Sequence, residues 1–287
     1  MTDLPFRKLY VDTRFKTTDS ISNSDFKFQL GRPASMPANT TFCVDEINIP
    51  HSWNTIETGI NDKLYVSWAT SNNPLVYATL VIPQKRYNGS ELGTQIQTQL
   101  NGAGFSGWTV VYDQTLNLMI ISGNLTAFKL WTDDDLTKNV IEAKRFTGLN
   151  ASSPQSVNEI LQITGLTGGT IGGQVNSVAK PFTSGFLNLI HFQDLYLTSG
   201  SLGSFDTQGV RGESSIIRKI CVNAAWGYSI IDKLSWDSDH LSCSKIALST
   251  LDFQLRDVKG RIVPLHGAHV SFTLKFRENK KYHVTYI

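Results

Sequence analysis

The chain has 287 residues, of which 40% are hydrophobic and 17% are charged, and its formal net charge is +2. This composition indicates an ordered globular protein with one large domain or two smaller ones. A net charge this close to zero argues against a protein that binds nucleic acid through a uniformly basic surface, so we expect no specific nucleic-acid site.

The N-terminus and the cysteines predict where the protein is made. Residues 1–8, MTDLPFRK, contain no apolar core of signal-peptide length. No apolar run approaches the roughly 18 residues of a membrane-spanning helix. We therefore expect synthesis inside the cell without a signal peptide, and no membrane span. The cysteines Cys43, Cys221 and Cys243 are scattered and odd in number, which favours buried, reduced thiols over disulfides.

The first quarter of the chain predicts strands that follow a polar segment. Residues 1–24 are sparsely apolar, apart from a short run at residues 9–11, and predict an extended arm or a loosely attached strand. Alternation of apolar and polar residues predicts strands at 25–30, 41–49 and 63–69. In the second of these the apolar phase changes at Asp45 and Glu46, which predicts a β-bulge or a strand that moves between sheets.

Residues 71–183 have a different texture and predict an α+β insertion. Leu92, Ile96 and Leu100 recur every four residues, so residues 91–100 predict an amphipathic helix, with Ser90 as its N-cap and Gly102 as its end. The other elements predicted in this segment are a strand at 75–83, a hairpin of 108–112 with 116–121, a strand at 128–131, a helical turn at 157–163 and a glycine-rich loop at 166–174.

The last third of the chain returns to strand-like sequence. Strands are predicted at 187–197, 215–222, 228–236, 249–256 and 268–277. With the three early strands the total is eight, the number of strands in a jelly roll. The predicted fold is mainly β: a single eight-stranded antiparallel jelly-roll β-sandwich with an α+β insertion. The predicted domains are an N-terminal arm (1–24), a discontinuous core (25–70 and 184–287) and the insertion (71–183).

Several residues are of the types found in chemical sites but lack the setting that such a site needs. His266 and His269 have the spacing of metal ligands on a helix, but here they precede a strand, where hydrogen bonding is the simpler role. Asp133, Asp134 and Asp135 lack the spaced ligands of a calcium loop and suit a helix N-terminus or a solvated turn. The glycines at 165–173 lack the lysine and hydroxyl residue of a phosphate-binding loop.

No pair of residues in the sequence suggests catalysis. Cys43 and His51 could form a nucleophile and base, but Cys43 lies inside a strand, where an inert packed thiol is expected. Arg211 and Glu213 mark a polar loop tip that could contact a receptor, and the tryptophans are expected to pack in the core. We predict no catalytic, cofactor-binding or metal-binding residues and no enzymatic activity.

Three ordered segments together resemble a known family. The first runs LYVDTRF (9–15), SNSDFKF (22–28) and VDEINIPHSWNTIE (44–57) with NDKLY (61–65). The second is YNGSEL (87–92) with the helix that follows, and the third combines GESSIIRKI (212–220), LDFQLRD (251–257) and LHGAHVSF (265–272). This order resembles the penton, or minor capsid, proteins of polinton-like viruses, adintoviruses and virophages.

The resemblance implies a structural protein of the virion. It implies a jelly roll that forms homopentamers at the fivefold vertices of an icosahedral capsid, next to trimers of a double-jelly-roll major capsid protein. It also implies that the protein is made in a host cell, resides in the virion, and could contact a host receptor through the insertion. The alternatives are a jelly-roll module that binds carbohydrate or a receptor, with the Trp- and Tyr-bearing insertion as its site, and a hydrolase on a sandwich fold.

Overall fold

A computed structural model describes residues 4–70, 73–125, 127–146, 149, 157, 161, 181–203, 206–210, 212–234, 239–243 and 247–278. The protein is mainly β and its sheets are antiparallel, which confirms the mainly β, antiparallel part of the predicted fold class. The chain divides into two compact units, one of Met1–Trp53 with Phe192–Ile287 and the other of Asn54–His191.

The strands, in chain order, are β1 (Lys8–Asp12), β2 (Asp25–Ser35), β3 (Thr40–Pro50), β4 (Lys63–Thr70), β5 (Asn73–Val81), β6 (Trp108–Asp113), β7 (Leu118–Gly123), β8 (Ala127–Leu130), β9 (Phe182–Thr183), β10 (Asp194–Thr198), β11 (Ile216–Cys221), β12 (Ser229–Lys233), β13 (Leu241–Ser242), β14 (Ala247–Arg256) and β15 (Ser271–Glu278). The helices are α1 (Gly89–Gly102), α2 (Asp133–Lys138) and α3 (Val140–Ala143), and a 3-10 turn spans Thr13–Phe15.

The first unit is built from two antiparallel sheets. One sheet has the order β1-β15-β3-β12, with the short β13 also paired to β3, and the other has the order β11-β10-β14-β2. Apart from β13, the strands pair in a nested order, from the two ends of the unit's sequence inward. The first pairs with the last (β1 with β15), and the next pairs inward are β2 with β14, β3 with β12, and β10 with β11.

Large apolar side chains from both sheets share one core. The ring of Phe253 in β14 lies 4.9 Å from the ring of Phe272 in β15 and 5.5 Å from the ring of Phe26 in β2. Aromatic pairs of this kind add about 0.5–1.5 kcal/mol each to the gain from burial. Because the three rings come from both sheets, the unit is a β-sandwich, and the apolar alternation predicted for β14 and β15 is confirmed.

β3 changes its buried face where the sequence predicts. Its neighbour β15 has Thr273 opposite Glu46 but Leu274 opposite Val44, so Asp45 is an extra residue on β3. One extra residue in an antiparallel pair turns the following side chains to the other face. The predicted β-bulge is therefore confirmed.

Residues 4–24 are more firmly attached than a free arm. The run at residues 9–11 lies in β1, which pairs with β15 over its whole length. Thr13 is buried; its N–H donates to the Val270 carbonyl at 3.0 Å, and its Oγ1 accepts from the Val270 N–H at 3.0 Å. Ser24 Oγ donates to the Val263 carbonyl at 2.6 Å. The loosely attached strand that the sequence allowed is a fully paired edge strand.

The strand predicted at 63–69 exists as β4, but its partners differ from those expected. β4 pairs with β5 and β8 in the unit formed by Asn54–His191, whereas the sequence placed it in the sandwich. Period-two alternation reports a half-buried strand and does not identify its partner. β1 was not among the predicted sandwich strands. With β1 in place of β4, the sandwich has eight strands besides the short β13 in the part of the chain that the structure describes. β10 begins at Asp194, later than the predicted residue 187.

The second unit holds the sheets β5-β4-β8 and β6-β7-β9 together with helix α1. Leu92, Ile96 and Leu100 of α1 are 0% exposed and belong to one apolar cluster with Trp68 of β4 and Ile121 of β7. This confirms the helix, and the strands and hairpin predicted at 75–83, 108–121 and 128–131 are also present as β5 to β8. The turn at 157–163 and the loop at 166–174 lie almost wholly outside the described residues.

The helix begins earlier than predicted. Asn88 is the N-cap of α1, since its side chain accepts from the Glu91 N–H at 2.8 Å and its own N–H donates to the Glu91 carboxylate at 3.1 Å. This reciprocal capping box satisfies two N–H groups, which the predicted cap Ser90 could not do from inside the first turn. The predicted end at Gly102 is confirmed.

Candidate assembly surfaces

The structure does not bring the proposed thiol–imidazole pair together. Cys43 is 1% exposed and its Sγ lies 3.6 Å from His240 Nε2. His51 Nδ1 donates to the Ala224 carbonyl at 2.8 Å, and the His51 ring lies 4.2 Å from the Trp53 ring. His240 faces Cys43 because β13 pairs with β3, a long-range register that sequence spacing does not contain. None of the three cysteines forms a disulfide; Cys43 is buried as predicted, whereas Cys221 is exposed and Cys243 is half-buried.

Two of the other polar candidates, His269 and Asp135, have structural roles. His269 Nδ1 lies 3.1 Å from Thr13 Oγ1, at the start of β15. Asp135 completes a capping box with Thr132 at the N-terminus of α2. Among the described residues, no group of three His, Cys, Asp or Glu side chains could hold a metal ion, and no helix is both long and apolar enough to cross a bilayer. The glycine run at 165–173 and Arg211 lie outside the described part of the chain.

The tryptophans of the insertion are buried. Trp68, Trp108 and Trp131 are 3%, 3% and 6% exposed. Trp108 packs edge-on against Trp68 and Phe128, with ring centroids 6.1 and 5.0 Å apart. A sugar site needs an accessible aromatic face, which these three side chains do not provide.

Residues 54–62, which overlap two segments of the resemblance, have a clear structural role. Glu57 is 2% exposed, and its carboxylate accepts from the Asn54 N–H at 2.5 Å and from Gln84 Nε2 at 2.8 Å. Asn61 is 0% exposed; it accepts from the Glu57 N–H at 2.7 Å and donates to the Thr55 carbonyl at 2.9 Å. Buried polar groups that are paired in this way fix a loop, so these residues shape the start of the second unit.

Several exposed apolar side chains of the sandwich lie on or near the two edge strands of one sheet. Tyr10, Phe15 and Ile21, here called the N-terminal patch, are 71%, 74% and 84% exposed; Tyr10 lies on β1, Phe15 ends the turn after it and Ile21 lies in the loop before β2. Trp226, Tyr228 and Ile231, here called the β12 patch, are 40%, 71% and 50% exposed and lie on or just before β12. β1 and β12 are the two edges of one sheet. Concentrated apolar surface of this kind marks interaction sites.

Both edges also offer backbone hydrogen-bonding groups. In β1 the hydrogen-bonded positions facing β15 are the odd ones, as the bonds at Arg7 and Thr13 show, so the N–H and C=O of Tyr10 point away from the sheet. In β12 the backbone groups of even-numbered residues bond to β3, as the hydrogen bonds at Tyr228 and Leu234 show. The N–H and C=O of Ile231 therefore point outward, away from β3. Each edge therefore combines an apolar patch with outward backbone groups.

Charged side chains flank the edges in internal pairs. Lys8 Nζ lies 2.9 Å from Asp45 Oδ2, and this hydrogen bond raises the pKa of Lys8. At the other edge, Lys233 Nζ lies 3.6 Å from Glu46 Oε1. Lysines at the ends of edge strands limit indiscriminate strand pairing. The centres of the edges are therefore the available contact points.

Comparison with solved structures finds a virophage penton protein. The crystal structure of the selenomethionine-labelled mavirus penton protein is similar to this chain with a TM-score of 0.49 and 11% identity, over 96% of this chain and 100% of that one. The sequence resembles the same family of proteins. No family model and no curated protein matches this chain.

Proposed function

We propose that this chain is a structural virion protein, a penton that forms homopentamers at the fivefold vertices of an icosahedral capsid. The observation that carries the proposal is the nested pairing of the sandwich strands, in which β1 pairs with β15, β2 with β14, β3 with β12 and β10 with β11. A long antiparallel hairpin rolled into two facing sheets gives this order, which is that of a single jelly roll. This is the fold that the resemblance to penton proteins implies.

The two unlike patches support a ring. An isologous dimer uses one patch twice, whereas a head-to-tail contact uses two different patches and can close into a ring. The N-terminal patch and the β12 patch differ in residues and lie at opposite edges of one sheet. We expect about 800 Å² or more to be buried on each subunit at a stable contact of this kind.

The remaining roles follow from the capsid function. The neighbours of the pentamer would be trimers of a double-jelly-roll major capsid protein, the location would be the virion, and the role would be structural and not enzymatic. The insertion, which the observed units extend to Asn54–His191, is the proposed site of any contact with a host receptor.

The test is the oligomeric state of the purified protein and its position in particles. Mass photometry should give a species of about five chains of 31.9 kDa each. A map of assembled particles should place this chain on the fivefold axes. A monomer at all accessible concentrations, together with particles whose vertices lack this chain, would overturn the proposal.

A further inference from the structure

A groove of about 460 Å³ opens beside the edge strand β11, on the same side of the sandwich as β12. Its walls include Tyr196 and Ile216 from one sheet, Leu241 of β13 from the other, and Val210, which is 79% exposed. The groove thus lies between the edges of the two sheets. An apolar wall next to an edge strand suits an extended peptide segment.

The edge strand β11 can accept such a segment through its backbone. The Val222 N–H donates to the Gln193 carbonyl at 2.9 Å, so the even positions of β11 face β10. The N–H and C=O groups of Lys219 and Cys221 therefore point away from β10. Within the described part of the chain β11 has no further strand beyond it. Strand addition at this edge would use these groups.

The basic side chains of the groove are paired with carboxylates. Arg218 Nη2 lies 2.8 Å from Asp232 and its Nη1 lies 3.0 Å from Asp239, and Lys219 Nζ lies 3.0 Å from Asp194. A segment that alternates apolar and polar side chains suits such a surface better than a highly charged one.

The sequence continues for nine residues after Glu278, as NKKYHVTYI. Tyr282, Val284 and Tyr286 occupy every second position, and tyrosine, valine, threonine and isoleucine are residues that favour strands. Nine extended residues reach about 30 Å. This segment has both the pattern and the length to serve as an added strand.

The place where β15 ends favours binding of this segment to the groove of a neighbouring subunit. Thr41 pairs with Arg277 on one side and with Ser242 of β13 on the other, so the segment leaves at the same end of the sandwich as the groove. β15 is the strand next to β1, however, whereas the groove of the same subunit lies beyond β3 and β13. In a head-to-tail ring the β1 side of one subunit faces the β12 side of the next, where the neighbour's groove opens.

We propose that residues 279–287 of one subunit occupy the groove beside β11 of the next, adding a strand to that edge. This inference rests on the head-to-tail ring of the proposed function. It adds a second, exchanged contact to the one between the two apolar patches.

The exposed Cys221 provides the test. In a Cys243→Ser background, residues 282 to 286 are replaced by cysteine one at a time, and the assembled protein is oxidised. We expect disulfide-linked chains on non-reducing gels, strong at alternate positions and weak between them, because a strand presents every second side chain to one face. The matched control adds Cys221→Ser, which should remove the cross-link; Cys43 stays in place because it is 1% exposed.

The outcomes separate this inference from the proposed function. Cross-links within single chains would show that the segment binds its own groove, and no cross-link at any of the five positions would show that it binds elsewhere; either result overturns the inference. Mass photometry on the same samples reports the ring independently. Pentamers without cross-links would leave the proposed function intact, whereas monomers throughout would count against both.

Discussion

The head-to-tail ring can be tested with two charge substitutions, Tyr10→Glu in the N-terminal patch and Ile231→Glu in the β12 patch. Tyr10 and Ile231 are 71% and 50% exposed, so each substitution should change the stability of the subunit by no more than about 0.5 kcal/mol. Within a contact, a carboxylate without a partner should cost about 2 kcal/mol or more, as at other interface hot spots. That cost is roughly a 30-fold loss of affinity per contact.

A closed ring amplifies this effect. A ring of five has five equivalent contacts, so each substitution removes about 10 kcal/mol of association energy per ring. We expect either variant alone to sediment as a monomer at concentrations at which the unmodified protein is pentameric. Far-UV circular dichroism and the urea midpoint of each variant should match the unmodified protein.

A mixture of the two variants gives the decisive result. The Tyr10→Glu subunit keeps its β12 patch and the Ile231→Glu subunit keeps its N-terminal patch, so one intact contact can form between them. A head-to-tail ring therefore predicts heterodimers that cannot grow, detectable by native mass spectrometry. Homodimers of the Tyr10→Glu variant would mean that two β12 patches pair with each other, and pentamers of either variant would refute the role of the patches.

Three further predictions concern the folded subunit. Phe253→Ala should lower the free energy of unfolding by about 3–5 kcal/mol, since Phe253 is 0% exposed between both sheets, and Phe253→Leu should cost clearly less in the same urea titration; equal losses would contradict the packing argument. Asn88→Ala should destabilise the second unit by about 1 kcal/mol whereas Ser90→Ala should be nearly neutral, and the reverse order in thermal melts would restore Ser90 as the cap. Burial raises the pKa of Asp252, but hydrogen bonds with Ser201 and with backbone N–H groups outweigh it and hold the pKa below its ordinary value of 3.8. The resulting stabilisation is complete above about pH 4 and is lost as the pH falls through the lowered pKa, so Asp252→Asn should flatten the acid limb of stability against pH, and an unchanged slope would be inconsistent with this.

Local patterns predicted most of the secondary structure. The alternation in β14 and β15, the four-residue period of α1 and the phase change at Asp45 each report which side of an element is buried. These signals depend on neighbours in sequence, and the structure confirms all of them.

The errors concern partners that are distant in sequence. The short apolar run in β1 predicts no more than an extended arm or a loosely attached strand, because its pairing partner β15 lies far away in the sequence. β4 alternates as a sandwich strand would, but pairs within the second unit. The neighbour of Cys43 is His240, which the register between β3 and β13 places there, and not the nearby His51. Sequence spacing carries no information about any of these long-range pairings.

The sequence predicted the kind of site, an assembly surface, but not the residues that form it. The resemblance suggested assembly, but the two patches were not among the expected residues. Tyr10, Ile21 and Ile231 lie in strand-like or polar sequence, where pattern alone does not distinguish an outward apolar residue from a core residue. Only the sheet order shows that the patches occupy opposite edges.

The nested strand pairing has a consequence for biosynthesis. Because β1 is held by β15, the first strand to leave the ribosome has no partner until nearly the whole chain has been translated. The unit formed by Asn54–His191 has all its sheet pairings within one continuous segment and can fold while translation continues. Contacts of such long range fold slowly, so the sandwich should close after the second unit has folded, and a new subunit should become competent for the proposed ring contacts only then.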